Sequence, residues 1–444
     1  MQHLTACRLR ELLCAGRISA EELTRLYLRR IETLDAKPGL NAVAEMDPTA
    51  IQQAKALDSR SDRRHLPLFG LPILVKDNID AAGLHTTAGS LALTDNLARK
   101  DAPVIANLRK QGAVILGKTN MTEFANYTSQ GMPNGYSSRG GQVSNAYGRT
   151  LNPSGSSTGS AVAVSAGLCA AAIGTDTSFS IVACAAANGV TGFKPAHGSL
   201  SAQGIIPIAH TLDSAGPLTR DLSDAILFYS AMRDQPLPDI APKVPGKLRI
   251  AVNQFNRELV SPEQCAYYNE LLQKLRDAGA AVSEVRHPAV PQQRDIMRCE
   301  FRHDLEQYLK TSAASAKTLA EIIRRYEADP ERMMPYGISY LRDAQDSASG
   351  QLDDAAYLEA MRVRHQLRAG MLADLAGFDA CIMTGPTNIM HFTGLPTLSL
   401  RLCMGKDHAP CGMFLYGADE QRLLSAALTI ERYCPGVPPP ELPA

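Results

Sequence analysis

The sequence predicts an α/β fold in which a central, largely parallel or mixed sheet is flanked by helices. Three observations carry this. Beyond Arg220, helix-like and strand-like segments alternate, the pattern of β-α-β units. Short apolar runs at residues 71–75 and 113–116 read as buried strands. The most apolar stretch, 161–173, is rich in Gly and Ala, which points to close helix packing inside a large core.

Taken in order, residues 4–60 read as helices. Ser19 caps one of them, with Glu22 three residues on completing a capping box. Leu23, Leu26, Tyr27 and Ile31 then share one helical face. A second helix is expected over 48–59. The run 71–75 ends at the polar tip Lys76, Asp77, Asn78. Residues 102–111 suit a helix, and 113–116 a second buried strand.

Residues 127–160 have another texture, polar and glycine-rich, which marks a binding or active-site loop set rather than a linker. They lead into a small-residue helix over 160–172 and then a glycine-rich turn at 174–180. Further on come a helix at 222–232, a strand at 248–252, a helix at 262–278 and a strand at 281–285. Residues 298–376 are charged and helical, a cap or surface layer. Strands at 379–383 and 397–402 and an amphipathic helix at 417–433 follow. The tail, 435–444, has five prolines and is expected to be extended or disordered.

Composition narrows the function. The chain has 444 residues, 45% hydrophobic and 20% charged, which excludes disorder, collagen and coiled coil. At about 150 residues per domain the length alone suggests about three domains. Lys plus Arg and Asp plus Glu are 45 each. A zero balance gives no reason to expect a nucleic-acid or acidic-membrane partner. The first thirty residues hold no signal-peptide pattern, and 161–173 is short of the about 20 apolar residues a membrane span needs. The ten cysteines form no Cys-x-x-Cys and no zinc spacing. Reduced thiols in a cytoplasm are the plain expectation.

Several constellations bear on chemistry. Gly112, Gly117, Lys118 and Thr119 have P-loop spacing, but the intervening Ala113–Leu116 read as the strand itself, which leaves no room for a phosphate loop. Residues 152–160 contain five Ser or Thr and open onto an apolar helix, a setting suited to anion or oxyanion contact. Lys76 between Val75 and Ile79 is a candidate for burial and a lowered pKa. His85, His197, His210 and His391 stand beside no second candidate metal ligand in sequence and read as structural or surface histidines.

Eight segments in order resemble the amidase signature family of hydrolases. They lie at 70–79, 112–125, 152–160, 174–181, 189–195, 213–220, 393–396 and 417–420, among them Gly189-Val-Thr-Gly-Phe-Lys-Pro195 and Asp213-Ser-Ala-Gly-Pro-Leu-Thr-Arg220. Gly-Lys-Thr-Asn-Met, the false P-loop, is also a feature of that family. The resemblance implies a single large α/β/α domain over 61–434, with 1–60 a helical segment packed on it and 298–376 its variable layer. It implies a Ser-cisSer-Lys triad: Ser180 as nucleophile, Ser156 as bridging serine with a cis peptide bond, Lys76 as base. Backbone N–H groups of Thr177, Ser178, Phe179 and Ser180 would form the oxyanion hole, and Tyr127, Met132 and Tyr136 are pocket candidates. No cofactor and no metal are implied; homodimers occur in the family.

The sequence departs from the family pattern at informative places. Ser178-Phe179 replaces Gly-Gly before the nucleophile, and Ser154 and Thr158 replace two glycines around Ser156. Such replacements are strained only where φ is positive. Val182 stands where many members carry an arginine suited to a substrate carboxylate. The expectation is therefore an amidase that hydrolyses a neutral carboxylic acid amide through a Ser180 acyl-enzyme. The alternatives are transfer of the acyl group to an amine, or a non-catalytic or partner-dependent amidotransferase-like subunit.

Overall fold

The computed structural model describes residues 3–36, 38–405 and 407–442. The strands are β1 Val43–Met46, β2 Pro72–Lys76, β3 Val114–Thr119, β4 Tyr136–Ser137, β5 Gly141–Gln142, β6 Ala171–Asp176 and β7 Thr191–Lys194. They continue with β8 Ser214–Thr219, β9 Arg249–Asn253, β10 Ala281–Val285, β11 Ala380–Met383, β12 Thr397–Met404 and β13 Pro410–Tyr416. β4 and β5 form a small hairpin. The other eleven make one sheet in the order β1-β3-β2-β6-β8-β7-β12-β13-β11-β9-β10. It is mixed. β3, β2 and β6 run parallel, as do β11, β9 and β10, and the strands between them pair antiparallel.

The composition of β2 and β3 explains their place. Every residue of both is buried, as in strands covered on both faces by helices. β3 runs through Thr119, so Lys118 and Thr119 lie in the strand and no phosphate loop exists there. Helices Ala6–Cys14, Ala20–Leu34 and Ala50–Asp58 form as the N-terminal pattern predicts, with the Ser19–Glu22 capping box in place. β1 interrupts this helical stretch as an edge strand antiparallel to β3.

The expected helix over 160–172 is a shorter helix, Thr158–Ser165, followed by β6. Gly167, at φ +70°, ends it. The Leu168 N–H reaches the Ala163 carbonyl and the Gly167 N–H the Val164 carbonyl, a Schellman-type stop. The apolar continuation then has the freedom to become a strand. The expected turn at 174–180 accordingly begins only after Asp176, because Gly174 to Asp176 belong to β6.

β7, β8 and β13 carry no strand signal in the sequence. Their Gly, Ser, Thr and Pro content hides the period, yet the glycines are required by close approach: a Cβ on Gly216 would lie 2.0 Å from the Phe193 carbonyl oxygen. The helical layer starts at Gln293 rather than 298. Helices Gln293–Thr311, Leu319–Ala328, Ser339–Asp346 and Ala355–Leu375 pack with Met121, Phe124, Tyr127 and Ile208 in one apolar cluster. The layer therefore roofs the polar loops. The expected C-terminal helix is Glu420–Ile430 plus a 3₁₀ turn. Beyond it, Val437 is buried and the Pro438 carbonyl accepts the Tyr147 hydroxyl, so the described part of the tail is extended and docked. Met1, Gln2, Pro443 and Ala444 of the expected terminal segments lie outside the described residues.

Candidate active site

The carboxyl ends of parallel β2 and β6 lie side by side, and each delivers one polar residue to the same point. Lys76 ends β2 and is fully buried. Its Nζ lies 2.8 Å from Ser156 Oγ, 2.8 Å from Thr175 Oγ1 and 3.2 Å from the Thr175 carbonyl oxygen. Burial lowers its pKa to about 8, partly offset by Asp176 and Asp213. Asn78 Nδ2 donates to Thr175 Oγ1 at 3.0 Å and fixes that hydroxyl.

Ser156 follows a cis Gly155–Ser156 peptide bond. Its loop is stitched down on both sides. The Thr122 N–H donates to the Ser156 carbonyl at 3.1 Å, and the Ser157 N–H to the Ser180 carbonyl at 3.2 Å. Ser157 Oγ donates to the Thr175 carbonyl at 3.0 Å. A Cβ on Gly155 would fall 2.5 Å from Thr122 Oγ1, so this glycine is a requirement of the packing.

Ser180 sits on the turn between β6 and helix Val182–Ala187. It lines a cavity of about 320 Å³ with Gly155, Thr177, Ser178 and Tyr127. The backbone N–H groups of Thr177, Ser178, Phe179 and Ser180 donate in no hydrogen bond among the described residues. The next two, of Ile181 and Val182, both go to Asp176 Oδ2, at 2.7 and 3.2 Å. Burial works against the Asp176 carboxylate, but His391, Lys194 and the Ile181 N–H outweigh it and hold its pKa below the ordinary value. His391 is fully buried 3.2 Å from Asp176 Oδ1, with its ring 4.2 Å from that of Phe179.

The replaced glycines divide into two pairs. Ser154 (φ +59°) and Phe179 (φ +69°) do occupy the left-handed region, whereas Ser178 and Thr158 do not. Asn152 Oδ1 accepts the Ser154 N–H at 2.9 Å, which supports the first of these turns. Phe179 is held between His391 and Phe414.

Of the pocket candidates, Tyr127 lines the cavity, stacked on Tyr340 at 5.3 Å. Met132 and Tyr136 do not. Met132 is buried elsewhere, and Tyr136 sits in the β4–β5 hairpin, edge-on to Tyr336. Arg294, Met297 and Tyr340, from the helical layer, take part in the wall instead. No motif marks them. Thr175 and Asp176 are within reach of sequence reasoning, since both lie in the 174–181 segment. His391, 215 positions from Asp176, is not.

A larger cavity of about 590 Å³ is lined by Thr175 together with Asp80, His210, Asp213, Asp304 and Tyr308. Burial raises the Asp213 pKa to about 7, and Thr177 Oγ1 donates to Asp213 Oδ1 at 2.5 Å. His210 has acidic neighbours in space that the sequence does not place beside it. Its Nδ1 lies 2.9 Å from Asp304 and 3.3 Å from Glu300, the one group of three metal-type ligands among the described residues. Glu300 is already engaged by Thr211 and Tyr357. The cluster reads as an ion-paired tie between the 208–213 loop and helix Gln293–Thr311. The loop and the helix are distant in sequence, which is why no local spacing reveals it.

Residues 22–389 match the family model described as Amidase. The chain is 31% identical to a probable amidase of Arabidopsis thaliana, over 94% of this chain and 87% of that protein. It is 34% identical to one subunit of the glutamyl-tRNA(Gln) amidotransferase of Pseudomonas syringae pv. syringae, over 87% of this chain and 83% of that protein. Its structure is similar to native peptide amidase from Stenotrophomonas maltophilia, with TM-score 0.90 and 33% identity over 98% of each chain. No helix among the described residues is long and apolar enough to cross a membrane.

Proposed function

Since the chain belongs to the amidase family, we propose that it hydrolyses a neutral carboxylic acid amide to acid plus ammonia or amine, through an acyl-enzyme on Ser180. The observation that carries this is the 2.8 Å contact of buried Lys76 with Ser156, beside a serine whose turn offers four unused N–H groups. Neutral Lys76 gives its two hydrogens to the Thr175 carbonyl and hydroxyl, which leaves its lone pair for the Ser156 hydroxyl. Ser156 then relays the proton of Ser180 to Lys76 as Ser180 Oγ attacks the amide carbon. The N–H groups of residues 177–180 receive the oxyanion; in other enzymes one such donor is worth about 3–4 kcal/mol of barrier. The relay reverses to protonate the leaving nitrogen, and water repeats the sequence to free the acid.

Val182 in place of an arginine supports a neutral amide. The likeness to a peptide amidase supports including peptide carboxamides in the class. We take residues 61–434 as one catalytic domain acting in the cytoplasm without a cofactor. A second reading, a chain that needs a partner for activity, draws on the likeness to the glutamyl-tRNA(Gln) amidotransferase.

A fluorophosphonate probe separates them. The amidase reading expects one adduct by intact mass on the isolated chain, absent in Ser180→Ala, and ammonia release from a panel of neutral amides by the wild type alone. An unlabelled, inactive isolated chain overturns it in favour of the second reading. Product analysis with added amines distinguishes acyl transfer to an amine from hydrolysis.

A further inference from the structure

We infer that Cys403 and Cys411 are a redox-active pair that closes to an intramolecular disulfide when a hydroperoxide reaches it. Nothing in their spacing suggests this, because they stand eight positions apart with no motif between them. The hairpin brings them together. In the β12–β13 register Cys403 is the direct partner of Cys411, one pair from the turn that the Gly405 N–H closes onto the Ala409 carbonyl.

The register shifts between Arg401 and Cys403, so a bulge at Leu402 adjoins the pair, and the ladder resumes at Cys403–Cys411. Opposed residues of an antiparallel pair have Cα atoms about 4.5 or 5.5 Å apart, within the about 4.4–6.8 Å that a disulfide spans. Both thiols are free.

The two are unequal. Cys411 is half-buried, while Cys403 is 3% exposed. The contact with Cys403 lowers the Cys411 pKa against the effect of burial. Cys411, the more exposed of the two, is the one that meets the oxidant, as its thiolate. It attacks the peroxide oxygen, the O–O bond breaks, and hydroxide or alkoxide leaves as Cys411 becomes a sulfenic acid. Cys403, giving up its proton, attacks that sulfur and expels water. Two thiols and one hydroperoxide yield one disulfide, one water and one further water or alcohol.

The site has a structural address. A Cβ on Gly412, next to Cys411, would lie 2.5 Å from Ala186 Cβ, so the hairpin backs the helix that follows Ser180. The crosslink would fasten the turn end of that support.

The test uses the reduced full-length chain, hydrogen peroxide, and tryptic mapping without reductant, with cleavage after Lys406 between the two cysteines. The expected result is a mass loss of about two units, one linked peptide pair joining Cys403 to Cys411, and reversal by dithiothreitol. Cys403→Ser should abolish the link and leave Cys411 as a dimedone-trappable sulfenic acid. Cys434→Ser should leave the link intact. A linkage from Cys411 to Cys434, or sulfinic acid at Cys411 with Cys403 still a thiol, overturns the inference, as does a pair untouched while other thiols oxidise.

Discussion

Asp176 Oδ2 accepts the Ile181 N–H at 2.7 Å across the five-residue turn that carries Ser180. The carboxylate holds the chain at the far end of the turn, and the N–H groups of 177–180 donate in no hydrogen bond among the described residues. We expect Asp176→Ala to lower kcat by about 10²-fold, the scale of losing an oxyanion donor, with a smaller change in KM. Asp176→Asn, which keeps one acceptor oxygen, should recover part of it. Steady-state kinetics on the best amide checks this; a lowered melting temperature with unchanged kcat would mean that Asp176 only stabilises the fold.

The pKa of Lys76 sets a pH profile. Burial depresses it to about 8, and only the neutral amine accepts a proton. Log kcat/KM should therefore climb with pH and level off above about 8, with about a tenfold loss per unit well below it. Asp213, raised to about 7, titrates nearby. Asp213→Asn, which removes one of the carboxylates that raise the Lys76 pKa, should move the limb somewhat below 8, whereas Lys76→Met should remove activity at every pH. A profile flat from about 6 to about 9 contradicts the assignment of Lys76 as base.

Ser154 lies at φ +59° and is half-buried. A non-glycine residue there costs about 1–2 kcal/mol, while glycine costs about 0.5–1 kcal/mol in unfolded-state entropy. Ser154→Gly should thus stabilise the protein by about 0.5–1 kcal/mol, visible in denaturant unfolding. Destabilisation would show that the Ser154 side chain contributes more than the turn costs.

Lys118 is the lysine of the false P-loop. It is fully buried, 3.7 Å from Asp77 Oδ1 and 2.8 Å from the His85 carbonyl oxygen. Lys118→Met should cost about 1–3 kcal/mol, because the His85 carbonyl and the Thr86 hydroxyl lose their donor while Arg139 at 3.0 Å still pairs Asp77, and calorimetry with ATP should show no binding to either protein. ATP binding by the wild type, lost in the variant, would restore the nucleotide reading.

Parts of this architecture are legible in the sequence because local chemistry and tertiary setting agree. The runs ending at Lys76 and Leu116 are apolar on both faces, and that is their environment. The capping box at Ser19 needs only four residues. Lys76, Ser156 and Ser180 can be named because they sit in ordered motifs. What escapes is set by distance or by compensation. The start of β6 reads as the end of a helix and its last residues as a turn, because nothing in its apolar residues announces the stop at Gly167. His391 meets Asp176, Tyr340 meets Tyr127 and Cys403 meets Cys411 only through strand order and helix docking. Met132 and Tyr136 read as pocket residues by proximity to the motifs, but the β4–β5 hairpin carries the chain away from the cavity.

Lys76 and Ser156 lie 80 positions apart, and Lys76 and Thr175 lie 99 apart. They meet only because β2 pairs in parallel with β6, with Leu74 opposite Ala172 and Val75 opposite Ile173. Parallel pairing of this kind is high in contact order and closes late in folding. A chain with most of its helices formed but this seam open has Lys76 apart from Ser156 and Thr175. Regain of amide turnover on refolding should therefore lag far-ultraviolet ellipticity, so that the enzyme's own activity reports the zipping of its sheet.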